Sequence, residues 1–259
     1  MCRLAAYLGP EITLAHFLLQ PRHGLLVQAR HPQELRYTTV NADGFGYGWY
    51  AADQLPAAYT SPLPIWSDVN LPDLGRSLRS DLWLAIVRSA LPGMSTTHAN
   101  TQPFRDDELL FMHNGFITDF ALRVRPVLRQ FLDPEIEADV HGTTDSEYLF
   151  AVLRHLLADD PDMSIEESLS ETCKLLEDWL DELPALLNVV VSDGERLYAL
   201  RHAVNDECPS LYYTVDDELF PGGQLLASER LTDSEFWQPV PEHHILILDT
   251  DEPPELLAL

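Results

Sequence analysis

The sequence has few basic residues and no long apolar run. Lysine and arginine together number 16, with Lys174 the only lysine, whereas aspartate and glutamate number 42 and give a formal net charge of −26 at pH 7. Such a surface repels phosphate groups, which argues against nucleic acid and anionic membranes as partners. No apolar run approaches the roughly 18 residues that a membrane-spanning helix needs.

Cysteine is also scarce, and Cys2, Cys173 and Cys208 lie far apart in the chain. Three scattered thiols do not make a disulfide framework or a thiolate metal site, and they fit a reducing cytoplasm. The N-terminus lacks the basic and apolar regions of a signal peptide. The histidines show no ligand spacing, since the adjacent His243 and His244 would point to opposite faces of a strand. We therefore expect a soluble cytoplasmic protein without a metal or cofactor.

The chain of 259 residues is 46% hydrophobic, which is enough for a sizeable core. It contains no internal repeat, low-complexity tract or linker. Predicted strands come first, then two helices, then strands again. This order indicates one α+β domain over residues 1–259, built in packed layers.

Apolar runs and turn residues predict the elements of the first half. These are strands over 3–8, 41–50, 82–87 and 108–112, and helices over 13–19 and about 74–80. Gly9-Pro10 is expected to end the first strand, and Thr13 to cap the first helix. The prolines between residues 52 and 72 predict a surface loop. Glycine alternates with aromatic residues in 41–50, so one face of that strand is expected to pass close to another segment.

The second half is predicted from helix caps and turns. Thr144 with Glu147, and Ser164 with Glu167, follow the capping-box pattern that begins a helix, and an apolar stripe follows each pair. The second of these helices is expected to end near residue 183. Strands are then expected over 187–191, 196–201, 211–213, 224–228 and 245–248.

Cys2 directly follows the initiator methionine. If Met1 is removed, the thiol lies beside a free α-amino group, and ordinary pKa values of ~8.5 and ~7.7–8 let the amine take the thiol proton near neutral pH. An N-terminal amine is a known base for activating a weak nucleophile. The alternative is a buried strand cysteine without a chemical role, because free cysteine is among the most buried residue types.

Further polar groups stand at the ends of predicted elements, where rigid structure presents side chains to a cleft. Arg88 closes a strand, and its planar fork suits a carboxylate. Asn114 and Gly115 close the next strand, where an amide and a glycine N–H can stabilise an oxyanion. Asp145 opens a helix and could hold an ammonium group. The alternatives are a surface ion pair, a tight Asn-Gly turn and a favourable helix-start charge, respectively. Beside them, His113 fits a tuning role and a structural role equally.

In this order along the chain, these features resemble the class II glutamine amidotransferase family, the cysteine branch of the N-terminal-nucleophile hydrolases. The resemblance covers nearly the whole chain. It is carried by Met1-Cys2-Arg3, 41–50 (NADGFGYGWY), Val87-Arg88-Ser89-Ala90, Met112-His113-Asn114-Gly115, 142–147 (GTTDSE) and Ala227-Ser228-Glu229.

The resemblance implies a four-layer αββα sandwich and a role for each candidate residue. Cys2 would attack the γ-carbonyl of a glutamyl group, with its own amine as base. Asn114 and Gly115 would form the oxyanion hole. Arg88 would bind the α-carboxylate of the substrate and Asp145 its α-ammonium. A γ-glutamyl thioester would form and then be hydrolysed.

Segments 41–46 (NADGFG) and 88–90 (RSA) look most like the stand-alone members of the family. These include a hydrolase of ergothioneine biosynthesis that releases glutamate from γ-glutamyl-hercynylcysteine sulfoxide. Such an activity is the first expectation, with a small γ-glutamyl molecule as partner; a homodimer is compatible with the sequence. One alternative is a glutaminase subunit that supplies ammonia to a separate synthase. Another is a non-catalytic binding module, which persistence of Met1 would favour.

Two segments do not determine which substrate the protein uses. The arginines of the 22–36 loop lie where a pocket for the leaving group could form, but no motif fixes their role. Segment 97–104 (THANTQPF) follows a pattern shared with the broader amidotransferase-like members of the family.

Overall fold

The computed structural model describes residues 2–35, 39–90 and 93–259, and these build two antiparallel sheets. The strands are β1 Arg3–Thr13, β2 Phe45–Tyr50, β3 Pro56–Ser61, β4 Arg79–Val87, β5 Phe104–Arg105, β6 Leu110–Ile117, β7 Ala185–Ser192, β8 Arg196–Val204, β9 Tyr212–Thr214, β10 Gln224–Ala227, β11 Gln238–Pro239, β12 His244–Asp249 and β13 Glu255–Ala258. One sheet has the order β11-β9-β10-β1-β4-β2-β3 and the other β13-β12-β8-β7-β6-β5.

Helices cover the outer face of each sheet. The described α-helices are α1 Leu14–Leu19, α2 Leu25–Gln28, α3 Leu71–Ser77, α4 Arg125–Phe131, α5 Pro134–Ala138, α6 Asp145–Asp159 and α7 Ile165–Leu180. The first three pack on the seven-stranded sheet, and α4, α6 and α7 pack on the six-stranded sheet. In the part of the chain that the structure describes, no helix has the length and apolar character needed to cross a membrane.

Strand β1 shows why the layers form. Its side chains alternate, so that Leu4 and Ala6 enter the apolar layer between the sheets while Ala5 and Tyr7 pack under the helices. Both faces of the strand are therefore buried, as its nearly continuous apolar sequence requires. The same alternation in β6 and β7 produces the second pair of layers. The predicted α+β fold with four αββα layers is confirmed.

Most predicted elements are present, and the differences have physical reasons. Strand β1 continues through Gly9-Pro10 to Thr13, because a register shift between Leu8 and Ile12 lets the pairing with β4 resume. The predicted loop 52–72 contains β3, an edge strand that tolerates its proline at the first position. Strand β6 does not stop at residue 112 but runs to Ile117.

The close approach predicted for the glycine-aromatic strand is also present. A Cβ atom built on Gly46 would lie 2.2 Å from the carbonyl oxygen of Gln102. Only glycine therefore allows β2 to pass this segment.

The helix caps were predicted correctly with one exception. Thr13 accepts a hydrogen bond from the N–H of His16 at 3.2 Å, and the capping box of Ser164 and Glu167 is complete. At the start of α6, Thr144 caps the helix, but Glu147 turns away. Its carboxylate accepts the N–H groups of His141 and Gly142 instead, at 2.8 and 2.7 Å.

A buried ion pair holds the first residues of β1 in place. The Arg3 guanidinium donates to the carbonyl oxygen of Cys2 at 2.6 Å and to Glu229 at 2.9 Å, and both charged side chains are buried. Glu229 also accepts three further hydrogen bonds, from His23 Nε2 and from the N–H groups of Gln33 and Glu34. Burial alone would raise the pKa of Glu229, but these hydrogen bonds and the Arg3 charge outweigh it, so its pKa lies below the ordinary value.

We expect Glu229→Gln to lower the free energy of unfolding at pH 7 by about 3–5 kcal/mol, because it leaves the buried Arg3 charge without its partner. The native carboxylate has a lowered pKa, so its contribution is present above the unfolded-state pKa of about 4.3 and is lost as the pH falls further. The difference between wild type and variant in urea unfolding should therefore shrink below about pH 4. Glu235→Gln, an equal charge change at an exposed position, is the control. An equal difference at pH 7 and pH 3 would contradict the role of the Glu229 charge.

Candidate active site

Sheet register places Cys2 beside Arg88. In the antiparallel pairing of β1 with β4, Arg3 lies opposite Val87, so the residue before Arg3 meets the residue after Val87. The Cys2 side chain is 7% exposed, and it lines a cleft with Arg88. Two residues 86 positions apart thus meet at one end of the seven-stranded sheet.

The Arg88 guanidinium is buried and lacks a carboxylate partner. It donates to the carbonyl oxygens of Asp43 at 3.1 Å and Ser95 at 3.3 Å. The main chain of Arg88 is fixed as well, since its N–H donates to Gly44 at 2.8 Å. Among the residues with described structure, no acidic side chain forms an ion pair with it. The carbonyl contacts therefore orient the fork, and its positive charge stays available for an anion.

Successive N–H groups on one side of β6 point toward the same cleft. In a strand, N–H groups two residues apart point the same way. The N–H of His113 donates to Gln102 Oε1 at 2.6 Å, and that of Ile117 donates to Asp145 Oδ2 at 2.8 Å. The N–H of Gly115 lies between them, and no described side chain accepts from it. This position suits an oxyanion, which needs a donor that is already oriented.

Gly115 cannot be replaced without a collision. A Cβ atom at this position would lie 1.7 Å from the carbonyl oxygen of Leu186 and 2.4 Å from His113 Nε2. The prediction that Asn114-Gly115 closes a strand was wrong, and so was the alternative of a tight turn. Both residues lie inside β6, where Asn114 is paired with Asn188 and Gly115 with Leu187 of β7.

Asn114 is fully buried, and neither its side-chain oxygen nor its nitrogen has a hydrogen-bond partner among the described residues. It shares a strand face with Met112, which packs in the apolar layer between the sheets together with Cys2. A buried amide without partners is costly, so the Asn114 amide is free to bind a water molecule or a polar ligand group. Asn114 is not among the residues that line the cleft, although its chain neighbours His113 and Gly115 are.

Asp145 is 4% exposed and is the first residue of α6. Its Oδ1 accepts the N–H of Ser146 at 2.8 Å, while Oδ2 accepts that of Ile117. These contacts lock the carboxylate against β6. They leave lone pairs on both oxygens, and no described cation forms an ion pair with it, so the carboxylate can still accept from an ammonium group.

His113 is fully buried between α6 and β7. Its Nε2 lies 2.9 Å from the carbonyl oxygen of Leu186, which can only accept, so Nε2 carries the proton. Its Nδ1 then accepts from the hydroxyl of Ser146, 2.9 Å away. Burial lowers the pKa of His113, although the Asp145 charge opposes this shift. A neutral imidazole that links two elements has a positioning role.

One cleft therefore brings together Cys2, Arg88, Gly115 and Asp145, four of the five residues proposed from the sequence. Asn114 adjoins it through β6. The same cleft includes Gln102 and His113. No arginine of the described part of the 22–36 loop lines it: Arg22 pairs with Asp233 at 2.7 Å, and Arg30 stacks over Trp66. Arg36 lies outside the described residues.

The sequence did not assign roles to two residues that shape the cleft. Gln102 binds the N–H and the carbonyl group of His113, as a neighbouring strand would. Asn100 joins the loop at Ser95 to Thr143: its Nδ2 donates to Ser95 and its Oδ1 accepts the Thr143 N–H at 2.8 Å. Both belong to segment 97–104, so the pattern noted there was the available signal.

The remaining cysteines lie elsewhere. Cys173 lies on α7, and its side chain faces the core of the helix-covered layer. Burial and then the Glu177 charge raise the pKa of its thiol to about 12. Cys208 is buried near the end of β8, in a cluster with Leu186. Cys2 is thus the thiol that lines the cleft.

The chain is similar over nearly its whole length to two curated proteins and to one solved structure. It is 29% identical over 246 residues to the gamma-glutamyl-hercynylcysteine sulfoxide hydrolase of Mycolicibacterium smegmatis, covering 95% of each chain. It is also 29% identical to a probable glutamine amidotransferase of Saccharomyces cerevisiae, covering 96% of this chain and 82% of that one. A solved structure, the glutamine aminotransferase class-II domain protein from Silicibacter pomeroyi, matches with a TM-score of 0.72 and 26% identity, covering 99% of each chain.

The family model for class II glutamine amidotransferases matches residues 29–220, well over half of the chain. This match agrees with the αββα layers and with relatives that are hydrolases. The protein is an amidohydrolase that belongs to the class II glutamine amidotransferase family.

Proposed function

We propose that the chain is a stand-alone γ-glutamyl amide hydrolase, that Cys2 is its nucleophile, and that its substrate is γ-glutamyl-hercynylcysteine sulfoxide. Residues 1–259 would form its one catalytic domain. The observation that carries the proposal is the cleft in which the Cys2 thiol lies beside the unneutralised Arg88 guanidinium and the Gly115 N–H.

The reaction begins at the N-terminus. After removal of Met1, the α-amine of Cys2 takes the thiol proton, and the thiolate attacks the γ-carbonyl carbon. The developing oxyanion accepts hydrogen bonds from the Gly115 N–H and the Asn114 amide. The leaving nitrogen takes the proton from the ammonium of Cys2 as the C–N bond breaks. Water, deprotonated by the same amine, then hydrolyses the thioester and releases glutamate.

The α-substituents of the glutamyl group account for the two charged residues. Arg88 offers two N–H donors to the α-carboxylate, and Asp145 accepts from the α-ammonium. Both side chains are already held by main-chain groups, so binding need not order them again. The site therefore selects substrates whose glutamyl α-carboxylate and α-ammonium groups are both free.

The choice of leaving group rests on the relative from M. smegmatis, whose name states the hercynylcysteine sulfoxide substrate. The relative from S. cerevisiae supports a second candidate, a glutamine amidotransferase that supplies ammonia to a separate synthase. Both activities would use the same glutamyl pocket and differ in the group that leaves.

Glutamate release by the purified protein tests the proposal, with the intact mass of the same sample recorded. L-glutamine and a γ-glutamyl-cysteine sulfoxide conjugate of hercynine are offered separately. We expect a mass without Met1 and a higher kcat/KM for the conjugate. A preference for glutamine would favour the second candidate. Retention of Met1, or no release from either compound, would count against the hydrolase.

We expect Cys2→Ala to abolish turnover but to keep substrate binding, because Arg88 and Asp145 remain in place. Calorimetric titration with the conjugate measures binding, and glutamate release measures turnover. Cys173→Ala, which removes a thiol from the core under α7, is the control and should keep both. Turnover by the Cys2→Ala variant would rule out Cys2 as the nucleophile.

Arg88→Lys should raise KM about 10-fold or more with a smaller change in kcat, because a point charge replaces the two-pronged donor. Steady-state kinetics with the better of the two substrates measures the effect. Arg22→Lys, the same change at an exposed arginine, is the control. An unchanged KM would contradict the assignment of Arg88 to the α-carboxylate.

A further inference from the structure

Three potential metal ligands meet at the end of β8, outside the cleft. Cys208, Glu242 and His243 each offer one ligand atom, and these atoms all lie within 4.8 Å of one another. The thiol is buried, while the carboxylate and the imidazole face solvent. A cation from solution can therefore reach this cluster from its open side.

His202 lies beside this cluster, against His243. Its Nδ1 lies 2.9 Å from Nδ1 of His243, so the two ring nitrogens point at each other. On its other side, His202 Nε2 lies 3.6 Å from a carboxylate oxygen of Glu177. A metal-bound histidine usually donates its other ring N–H to a neighbouring acceptor, and the His202 ring is placed to take that role for His243.

Sheet pairing and one arginine bring these residues together. In the pairing of β8 with β12, Arg201 lies opposite His244, so His202 meets the preceding His243. Arg201 also donates to the carbonyl oxygen of Pro209 at 2.7 Å and to that of Val240 at 2.6 Å. It thereby ties the loop that carries Cys208 to the turn before β12.

We propose that Cys208, Glu242 and His243 form a zinc-binding site, with His202 as the hydrogen-bonded support of His243. Thiolate, imidazole and carboxylate are the ligands that Zn²⁺ takes in proteins, and a water molecule would complete the usual set of four. The Cys208 thiol loses its proton to solvent on binding. His243 donates its Nδ1 proton to Nδ1 of His202, which leaves its Nε2 lone pair for the metal. One thiolate and one carboxylate then balance the charge of the ion.

The Arg201 cation does not compete strongly with a metal ion for the Glu242 carboxylate. Its Nη2 lies 3.4 Å from Glu242 Oε1, a longer contact than its two carbonyl hydrogen bonds. Glu242 is exposed at the side chain and can turn toward the metal. Neither the three ligands nor His202 lines the cleft, so this proposal stands independently of the proposed reaction.

The test uses the Cys2→Ala variant as its background, because an N-terminal thiol and amine would chelate zinc themselves. Metal-free protein is titrated with Zn²⁺ against a chromophoric chelator, and separately with Co²⁺. We expect one equivalent of metal per chain and a near-ultraviolet charge-transfer band from sulfur to cobalt. Adding Cys208→Ser should remove the band. Adding His243→Ala, at an exposed position, should weaken zinc affinity about 100-fold or more, since even supporting residues contribute 10–100-fold.

Cys173→Ser in the same background is the matched control and should keep both the band and the affinity. Zinc affinity unchanged by His243→Ala, or a cobalt–sulfur band that survives Cys208→Ser, would overturn the site. Failure of the Cys2→Ala background to bind zinc would overturn it as well. None of these outcomes bears on glutamate release.

Discussion

The ion pair between Arg3 and Glu229 fixes where the first strand begins, and the cleft depends on that point. Burying two charges costs several kcal/mol per ion, and this cost is recovered only when hydrogen bonds satisfy both partners. Glu229 receives four such bonds, whereas one nitrogen of Arg3 lacks a partner among the described residues. The main effect of the ion pair is therefore to position the start of β1, and not to maximise the free energy of unfolding. It holds the Cys2 carbonyl group, and hence the start of β1, at a defined place in the sheet.

With the first strand fixed, antiparallel register determines the rest of the arrangement. Cys2 lies opposite the end of β4 and so beside Arg88, while the second sheet presents β6 to the same cleft. A shift of β1 by one residue would turn Cys2 away from this face and send apolar side chains to the wrong layer. The apolar layers on both sides of β1 oppose such a shift. The packing that keeps the apolar side chains in their layers therefore also places the Cys2 thiol at the cleft.

The sequence indicated those features that depend on local pattern. Arg88 directly follows an apolar strand, and Asp145 follows a capping threonine, so both could be placed from their neighbours in the chain. Asn114-Gly115 could not, because this dipeptide favours a turn locally and only pairing with β7 keeps it extended. Gln102 and Glu229 act through partners in other segments, as His202 and Cys208 would at the proposed zinc site. Short edge strands such as β11 and β13 also carry too little pattern to be read.

The buried positive charge of Arg88 distinguishes the cleft from the acidic surface of this molecule. A chain with 42 acidic residues could neutralise any of its arginines, yet the described structure surrounds the buried Arg88 fork with carbonyl groups. The exposed acidic surface is screened beyond about 8 Å at physiological ionic strength, whereas a buried charge is screened much less. An anion that reaches Arg88 would therefore meet a local positive charge despite the net charge of −26, while Asp145 in the same cleft would attract an ammonium group. The Gly115 N–H in the same cleft would add a second attraction for negative charge. Under the proposed function, selection of the α-carboxylate would thus be set by a few buried groups and not by the overall field of the protein.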